Sequence, residues 1–516
     1  MKKYLRKIRW FVVVTILLSF VQAVLTSATL LFPGLLIDNY QKGFGYIWKL
    51  VAAYAIIFLL YLLEAYIGNR VADHRRIRFE KAIKKDFFDA VIGRDFQAFH
   101  RYDIAEYISM QANDITEMCQ NYLSPLLSIY NSVIMLAVFC ISLVIHVNLY
   151  VALMILGFSV VVVFVPKLTA DKLADRNKAY LDGVGQYTAA AKTLYEAHDI
   201  LDSKGREKLS ELHEEALDQV LGKNMFFRRL NSFAMVLNGG SVEAISVITF
   251  VVVAILLLNG RITLGMATIA FTYATKFIDP MYEMNVCMGC VHSVRKSEEK
   301  LMAIIGRDVP KKQEDVPQIR KISATALEKN YEGAEIHTPP VELDFPKKYL
   351  VRGENGAGKS VFFRLLMHFE EADAGEIQYN GEEYSGAISE SICYVPQNPI
   401  IFHASYEENV TVYHTYDAAK LVEYEAYFPK TVIEHIKSST DPHNLSGGEK
   451  QVIAILRALC SGKEMILMDE PFAAMNQITI DDFMKKMNEI DRMLVIIAHN
   501  IDGYADQFDE CITVHR

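Results

Sequence analysis

From Trp10 to Ile37 the chain carries no charged residue, and this stretch is longer than the roughly 20 apolar residues a helix needs to cross a bilayer. A secretory leader would have a shorter apolar core followed by a cleavage site and a water-soluble domain. Here further apolar runs follow. Val51 to Leu63 continues through Glu64 to Gly68, and Leu123 to Pro166 is uncharged over about twice the length of one span, interrupted at His146-Val147-Asn148. Phe233 to Asn259 and Ile262 to about Met281 complete the set, with a turn at Asn259-Gly260-Arg261. The expectation is a membrane domain over 1–306 with six helices at about 10–37, 47–68, 123–145, 149–166, 233–258 and 262–286.

Charge supports the division. The 516 residues carry a formal net charge of −9, but residues 1–306 are net +5 and residues 307–516 net −14. An apolar, mildly basic part is thus joined to a polar, acidic one, which excludes disorder and a fibre and argues against a nucleic-acid partner. Seven cysteines form no spaced framework, so Cys393, Cys460 and Cys511 are expected as free thiols. Lys2, Lys3, Arg6, Lys7 and Arg9 precede the first span and place the N-terminus in the cytoplasm by the positive-inside rule. The segments 69–120 and 167–229 then also face the cytoplasm and are rich in Lys and Arg, whereas the outer loops hold only Lys42, Lys49 and Arg261. Apolar residues at helical spacing, such as Phe79, Ile83, Phe87, Phe88 and Val91, predict that spans two to five continue as helical stalks below the membrane.

In the acidic part, Tyr349-Leu350-Val351-Arg352 reads as a strand and Val361 to Met367 as a helix. Between them stand Gly353-Glu354-Asn355-Gly356-Ala357-Gly358-Lys359-Ser360. This G-x-x-x-x-G-K-S string, in its strand-to-helix context, is a phosphate-binding loop whose glycines let backbone N–H groups converge on phosphate oxygens. Lys359 would reach the β- and γ-phosphates and the Ser360 hydroxyl would ligate Mg²⁺. Downstream, Met465-Ile466-Leu467-Met468 is a buried-strand run ending in Asp469, which would hold Mg²⁺, and Glu470, which would polarise an attacking water.

With Leu445-Ser446-Gly447-Gly448-Glu449-Lys450-Gln451 added, the chain resembles the ATP-binding cassette (ABC) transporters. The motif order matches: the glycine loop, Gln397 in Tyr394-Val395-Pro396-Gln397, the signature, Asp469-Glu470, and His499 in Ile496-Ile497-Ala498-His499. The spans resemble the exporter-type (type IV) membrane domain, with supporting echoes at Phe32-Pro33-Gly34 to Asp38 and at Asn113-Asp114-Ile115.

The resemblance implies a fold with an all-α six-helix membrane domain followed, after a linker at 307–325, by an α/β cassette at 326–516. It implies ATP held by Tyr331 on the adenine and by Gly353, Glu354, Asn355, Gly356, Ala357, Gly358, Lys359, Ser360 and Val361 on the phosphates. Ser446, Gly447, Gly448 and Glu449 would face the ATP of a second chain, identical or related. Mg²⁺ would be held by Ser360, Gln397 and Asp469, and catalysis carried by Glu470, His499 and Gln397. Coupling helices are expected near 96–101 and 197–203.

The function implied is ATP-driven export of a hydrophobic or peptide-like substrate from a bacterial plasma membrane, with both termini cytoplasmic. The alternatives are import of a metal chelate or haem on the same fold, and a regulatory ATPase. No peptidase domain is expected before a first span that begins near residue 10. One departure stands out: Asn476 occupies the place of the usual D-loop aspartate in Ala473-Ala474-Met475-Asn476.

Within the spans, Glu64, Glu243, Lys276 and Asp279 are candidate pathway residues because charge there is costly. Asn238-Gly239-Gly240 offers bending or close packing. Met281, Met284, Cys287, Met288, Cys290 and His292 form a soft-ligand cluster for which plain packing is the favoured reading.

Overall fold

The computed structural model describes residues 1–165, 167–306, 318–331, 334–354, 356–383, 388, 391–439, 441–499 and 501–515. Two compact bodies make up the chain: Met1–Ile92 with Ile104–Arg307, and Gly93–Asp103 with Asp308–Arg516.

The first body is helical: α1 (Lys2–Lys7), α2 (Arg9–Asp38) and α3 (Phe44–Ile92), then, after the short α4 (Phe96–Phe99), α5 (Ile104–Ser109), α6 (Ile115–Met118) and α7 (Ser124–His146). Two π-helical turns, Met110–Asp114 and Cys119–Leu123, join α5, α6 and α7 into one rod. There follow α8 (Leu149–Phe164), α9 (Lys167–Glu196), α10 (Ser203–Leu258), α11 (Leu264–Lys276), α12 (Ile278–Ser293) and α13 (Arg295–Ile305). Among the described residues, Arg9–Asp38, Phe44–Ile92, Ile104–His146 and Ser203–Leu258 are long and apolar enough to cross a membrane. The 49-residue α3 measures about 74 Å and the 56-residue α10 about 84 Å, more than twice a bilayer core. Phe79, Ile83, Phe87 and Val91 are buried along α3 as the spacing predicts, but Phe88 faces outward at 52% exposed. The sixth expected span is broken at Phe277 between α11 and α12, where Pro280 cannot donate to the carbonyl four residues back.

At one end of the bundle α2 and α11 meet backbone to backbone. A Cβ on Gly265 would lie 2.4 Å from the Gly34 carbonyl oxygen, so only glycine fits the crossing. Asp38 completes it, accepting from the Thr263 hydroxyl at 2.6 Å and the Gly265 N–H at 2.8 Å. Deeper, the Tyr273 hydroxyl lies 2.7 Å from both Ser27 and Ser142, which ties α2, α7 and α11 through one phenol.

The charged span residues have different surroundings. Glu64 is buried, and among the described residues one of its carboxylate oxygens has no partner. Lys276 pairs with Asp279 at 3.0 Å. The α10 helix runs through Asn238-Gly239-Gly240 without a break, and among the described residues a Cβ on either glycine would meet nothing within 4 Å, so close packing is not seen there. Met281 and Cys287 are buried while Met288 and His292 are exposed, and no group of three His, Cys, Asp or Glu among the described residues is placed to hold a metal.

In the second body, β1 (Lys321–Ala324), β2 (Leu327–Tyr331), β3 (Ala334–Thr338), β4 (Val341–Asp344) and β5 (Lys348–Arg352) lead into α14 (Lys359–Leu366). Next come β6 (Ile377–Tyr379), β7 (Ile392–Val395), α15 (Tyr406–Thr411), α16 (Leu421–Glu425), α17 (Lys430–Ser438) and α18 (Gly447–Cys460). The chain closes with β8 (Met465–Asp469), α19 (Gln477–Met487), β9 (Met493–Ile497) and β10 (Glu510–Thr513). The central sheet has the order β10-β5-β9-β8-β7 and is parallel throughout. Its central strands β8 and β9 are buried on both faces, which is why they read as apolar runs. A separate sheet, β4-β1-β6, already uses Lys321–Ala324, so this body begins before the expected boundary at 326. Residues 307–317 of the expected linker lie outside the described residues.

The α2–α11 crossing is directly testable. Gly265→Ala should destabilise the bundle by about 1–3 kcal/mol, the usual range for overpacking, read as a lower Tm of the purified protein in detergent. An unchanged Tm would show that the helices do not approach this closely.

Candidate nucleotide site

Parallel pairing sets the site. Val351 on β5 lies beside Ile497 on β9, and Ile497 beside Asp469 on β8, so three strands end together at one edge of the sheet. The glycine loop leaves β5, Glu470 follows β8 and His499 follows β9. Ligands of open α/β sheets bind at this edge, beyond the carboxyl ends of the strands.

The loop owes its course to glycine. Gly356 and Gly358 have φ of 80° and 92°, values that side chains resist. Gly358 is constrained twice, since a Cβ there would meet Ile336 of β3 at 2.4 Å. Ala357 and Val361 are buried and anchor the loop and the start of α14. Lys359, itself buried, donates from Nζ to the Gly353 and Glu354 carbonyls at 2.9 and 3.0 Å. Asn355 lies outside the described residues.

Below the loop, the buried Asp469 carboxylate accepts hydrogen bonds from Ser360 and, at 3.3 Å, from the Tyr394 hydroxyl. Burial pushes its pKa up, against the opposing pull of those donors and of Lys359. A buried carboxylate beside a serine hydroxyl is the kind of oxygen-donor set a hard divalent cation requires. The residues therefore fit Mg²⁺.

Gln397, Glu470 and His499 also come together. Gln397 Nε2 donates to Glu470 at 2.9 Å, and His499 Nε2 stands 3.5 Å from the other carboxylate oxygen. Glu470 has φ of 49°, an uncommon conformation for a glutamate, and is fixed by its N–H donating to the Ile497 carbonyl at 2.9 Å.

Tyr331 ends β2, in the hairpin whose other strand carries Ile336 against the glycine loop. It is partly exposed, and its hydroxyl donates to Glu370. Partial burial and that carboxylate push its pKa up to about 12, so it stays a neutral aromatic face suited to stacking.

Ser446 caps α18 in a reciprocal box with Glu449: Ser446 N–H donates to the Glu449 carboxylate at 2.8 Å, and Glu449 N–H to the Ser446 hydroxyl at 3.4 Å. Glu449 thereby caps α18 and is engaged also by His435 on its other oxygen. Gly447 and Gly448 lie against the chain after Glu470; a Cβ on Gly448 would come within 2.6 Å of the Ala474 carbonyl oxygen. Asn476 caps α19 by accepting from Thr479 N–H at 2.9 Å, a task asparagine performs as well as aspartate.

Three supporting residues escape motif reading. Buried Gln451 donates to the Gln397 carbonyl at 2.6 Å and so holds that loop. Tyr394 holds Asp469, and Gln477 donates to Tyr504 at 2.9 Å and to Asp481 at 2.8 Å, joining the start of α19 to the chain beyond His499. Gln451 and Tyr394 stand within the motif strings of the signature and of Gln397, which assign them no role, and Gln477 left no sequence signal.

Comparison with known proteins gives a consistent result. A family model described as the ABC transporter transmembrane region matches residues 12–281, and one described as ABC transporter matches 340–473. Among curated proteins the chain is 29% identical over 168 residues to the lactococcin-A transport/processing ATP-binding protein LcnC of Lactococcus lactis subsp. lactis, covering 30% of this chain and 24% of that one. It is 26% identical over 278 residues to the glutathione/L-cysteine transport system ATP-binding/permease protein CydC of Bacillus subtilis (50% and 48%). It is 31% identical over 189 residues to the mitochondrial iron-sulfur clusters transporter ABCB7 of Oryzias latipes (34% and 25%). The chain thus spans a quarter to a half of the length of these relatives. A solved structure, a bacterial Atm1-family ABC exporter with ATP bound, shares its fold with a TM-score of 0.80 at 17% identity, covering 99% of this chain and 93% of that one.

Gly448→Ala tests the contact between the signature and the chain after Glu470. It should leave nucleotide binding at the glycine loop intact while lowering ATP hydrolysis about tenfold or more, compared by nucleotide titration and phosphate release. Full turnover would show that this contact has no part in hydrolysis.

Proposed function

Because this chain belongs to the ABC transporter family, we propose that two such chains form an ATP-driven exporter of a hydrophobic or peptide-like substrate. The observation that carries the reading is that one cassette presents two separate anion-binding helix N-termini, α14 behind the glycine loop and α18 behind Ser446. A single triphosphate is cradled by the first. The second, closed by its own capping box yet exposed at Ser446 and Gly447, is left to face the ATP of the other chain. Neither half-site is complete alone, so the partner is a second half-transporter, identical or related.

Within each composite site, Tyr331 stacks on adenine, and the loop N–H groups with Lys359 neutralise the phosphates. Ser360, Asp469 and Gln397 would hold Mg²⁺, which when bound neutralises charge on the β- and γ-phosphate oxygens. Glu470 accepts a proton as a water oxygen bonds to the γ-phosphorus and the bond to the β-phosphate oxygen breaks, leaving ADP and phosphate. His499, beside Glu470, contacts the γ-phosphate. Its neighbour Gln397 senses the same group through Glu470.

Coupling to the membrane is supported by the segment Gly93–Asp103, which packs with the nucleotide-binding body although it lies between α3 and α5. There Phe96 stacks on Phe369 with ring centroids 4.2 Å apart and planes 5° from parallel, three residues past the end of α14. The other tip, at 197–203, leaves Ile200 85% exposed, suited to docking on the second chain. The basic inner segments support a cytoplasmic position for both termini, and the bacterial relatives support a bacterial plasma membrane. Export is preferred to import because the fold matches an exporter and the named relatives include a lactococcin transport/processing protein.

Glu470→Gln in the purified dimer should retain ATP and lower hydrolysis by at least about a hundredfold. Turnover at the native rate would remove Glu470 from the role of base.

A further inference from the structure

The long α9–α10 hairpin is tightly closed over most of its length. Tyr187 meets His213 at 2.8 Å, Gly183 leaves room for Lys223, and the rings of Tyr180 and Phe227 stack with planes 5° apart. Beyond that stack, toward α8 and the apolar half of α10, the helices part around a cleft of about 730 Å³.

Its polar wall is Lys172, Arg176 and Arg229 with a single carboxylate, Asp175. Its apolar wall includes Phe226 and Phe233, each 59% exposed, and the Arg176 guanidinium stands 5.7 Å from the Phe226 ring centroid. Among the described residues, Lys172, Arg176 and Arg229 have no ion-pair or hydrogen-bond partner. Lys192 and Lys208, nearer the hairpin tip, do have partners, Glu196 and Glu211. Three cations free of ion pairs thus line one concave part of the hairpin.

Position along the chain adds the second constraint. Arg229 is the last charge before residues 230–242, which carry none, and Lys172 follows soon after the uncharged run that ends at Pro166. The cleft straddles the level at which apolar chain gives way to charged chain, which in a membrane protein is the headgroup region. A net positive concavity there, with aromatic faces beside it, matches an anionic headgroup that keeps its acyl chains in the bilayer.

We propose that this cleft binds the phosphate headgroup of an anionic phospholipid from the inner leaflet. Lys172, Arg176 and Arg229 hold the phosphate as hydrogen-bond donors, and Phe226 and Phe233 lie along the first carbons of the acyl chains. A free inorganic anion would satisfy the cations but leave both rings in water. The assignment rests on the membrane topology proposed above, not on transport or hydrolysis, so its readout is lipid binding.

The test uses the full-length protein in detergent, titrated with dioleoyl phosphatidylglycerol or dioleoyl phosphatidylcholine, with bound lipid counted by native mass spectrometry. The wild type should retain phosphatidylglycerol over phosphatidylcholine. The variant K172Q/R176Q/R229Q should lose that preference by at least about tenfold, and the control K192Q/K208Q should keep it, while nucleotide binding by each variant reports an intact fold. No preference in the wild type overturns the proposal, as does equal loss in the control. Displacement of the lipid by millimolar inorganic phosphate alone would make the cleft a site for free anions. Crosslinking of a cysteine at position 229 to a second copy in lipid-free protein would make it an interface between chains. Either result contradicts the assignment.

Discussion

Everything at the nucleotide site depends on the register of three parallel strands. With Val351, Ile497 and Asp469 side by side, the glycine loop, the carboxylate pair and His499 leave the sheet at the same edge. A slip of one residue in β8 would turn Asp469 to the opposite face and carry Glu470 out of reach of Gln397. The register is secured by complete burial of β8 and β9 on both faces. The Glu470 N–H donates to the Ile497 carbonyl, and so extends the pairing one residue beyond the strand while the backbone turns sharply at φ 49°. Strain of this kind costs on the order of 1–3 kcal/mol and persists only where surrounding structure enforces it.

The same logic of packing over distance explains what the sequence could and could not disclose. Glycine loops, buried-strand runs and helix caps are local, and their chemistry is written in consecutive residues: Gly356 and Gly358 take the conformations their positions demand, and Ser446 caps α18. Contacts between distant segments leave no such trace. Gly34 and Gly265 are separated by more than two hundred residues, and nothing near either one announces the other. Gly448 against Ala474 is equally silent, and so is the partnerless burial of Glu64. Asn476 illustrates the converse. It reads as a departure from family pattern, yet as a helix cap it does what an aspartate would do. Gly239-Gly240 shows that low helix propensity was outweighed by a long apolar helix continuing on both sides.

Length is the other organising constraint. A helix of 49 residues or 56 cannot be accommodated by a bilayer core of about 30 Å, and the surplus is amphipathic, so it emerges as stalks. One stalk turn, Gly93–Asp103, is packed into the nucleotide-binding body by the Phe96–Phe369 stack. Under the proposed function, α3, which ends at that turn, is the element that would carry displacement toward the apolar region, and its length is visible in the sequence.

The account stands or falls on the claim that each ATP is held between the glycine loop of one chain and the Ser446 helix of another. Its most direct measurement is ATP hydrolysis by mixed dimers of one chain bearing Lys359→Ala and another bearing Ser446→Arg. Each variant alone forms dimers with both sites broken. In the mixed dimer a head-to-tail arrangement restores one intact site, so hydrolysis should reappear on mixing, with ATP bound by the Ser446→Arg chain. Mixed dimers as inactive as either parent would contradict the composite site.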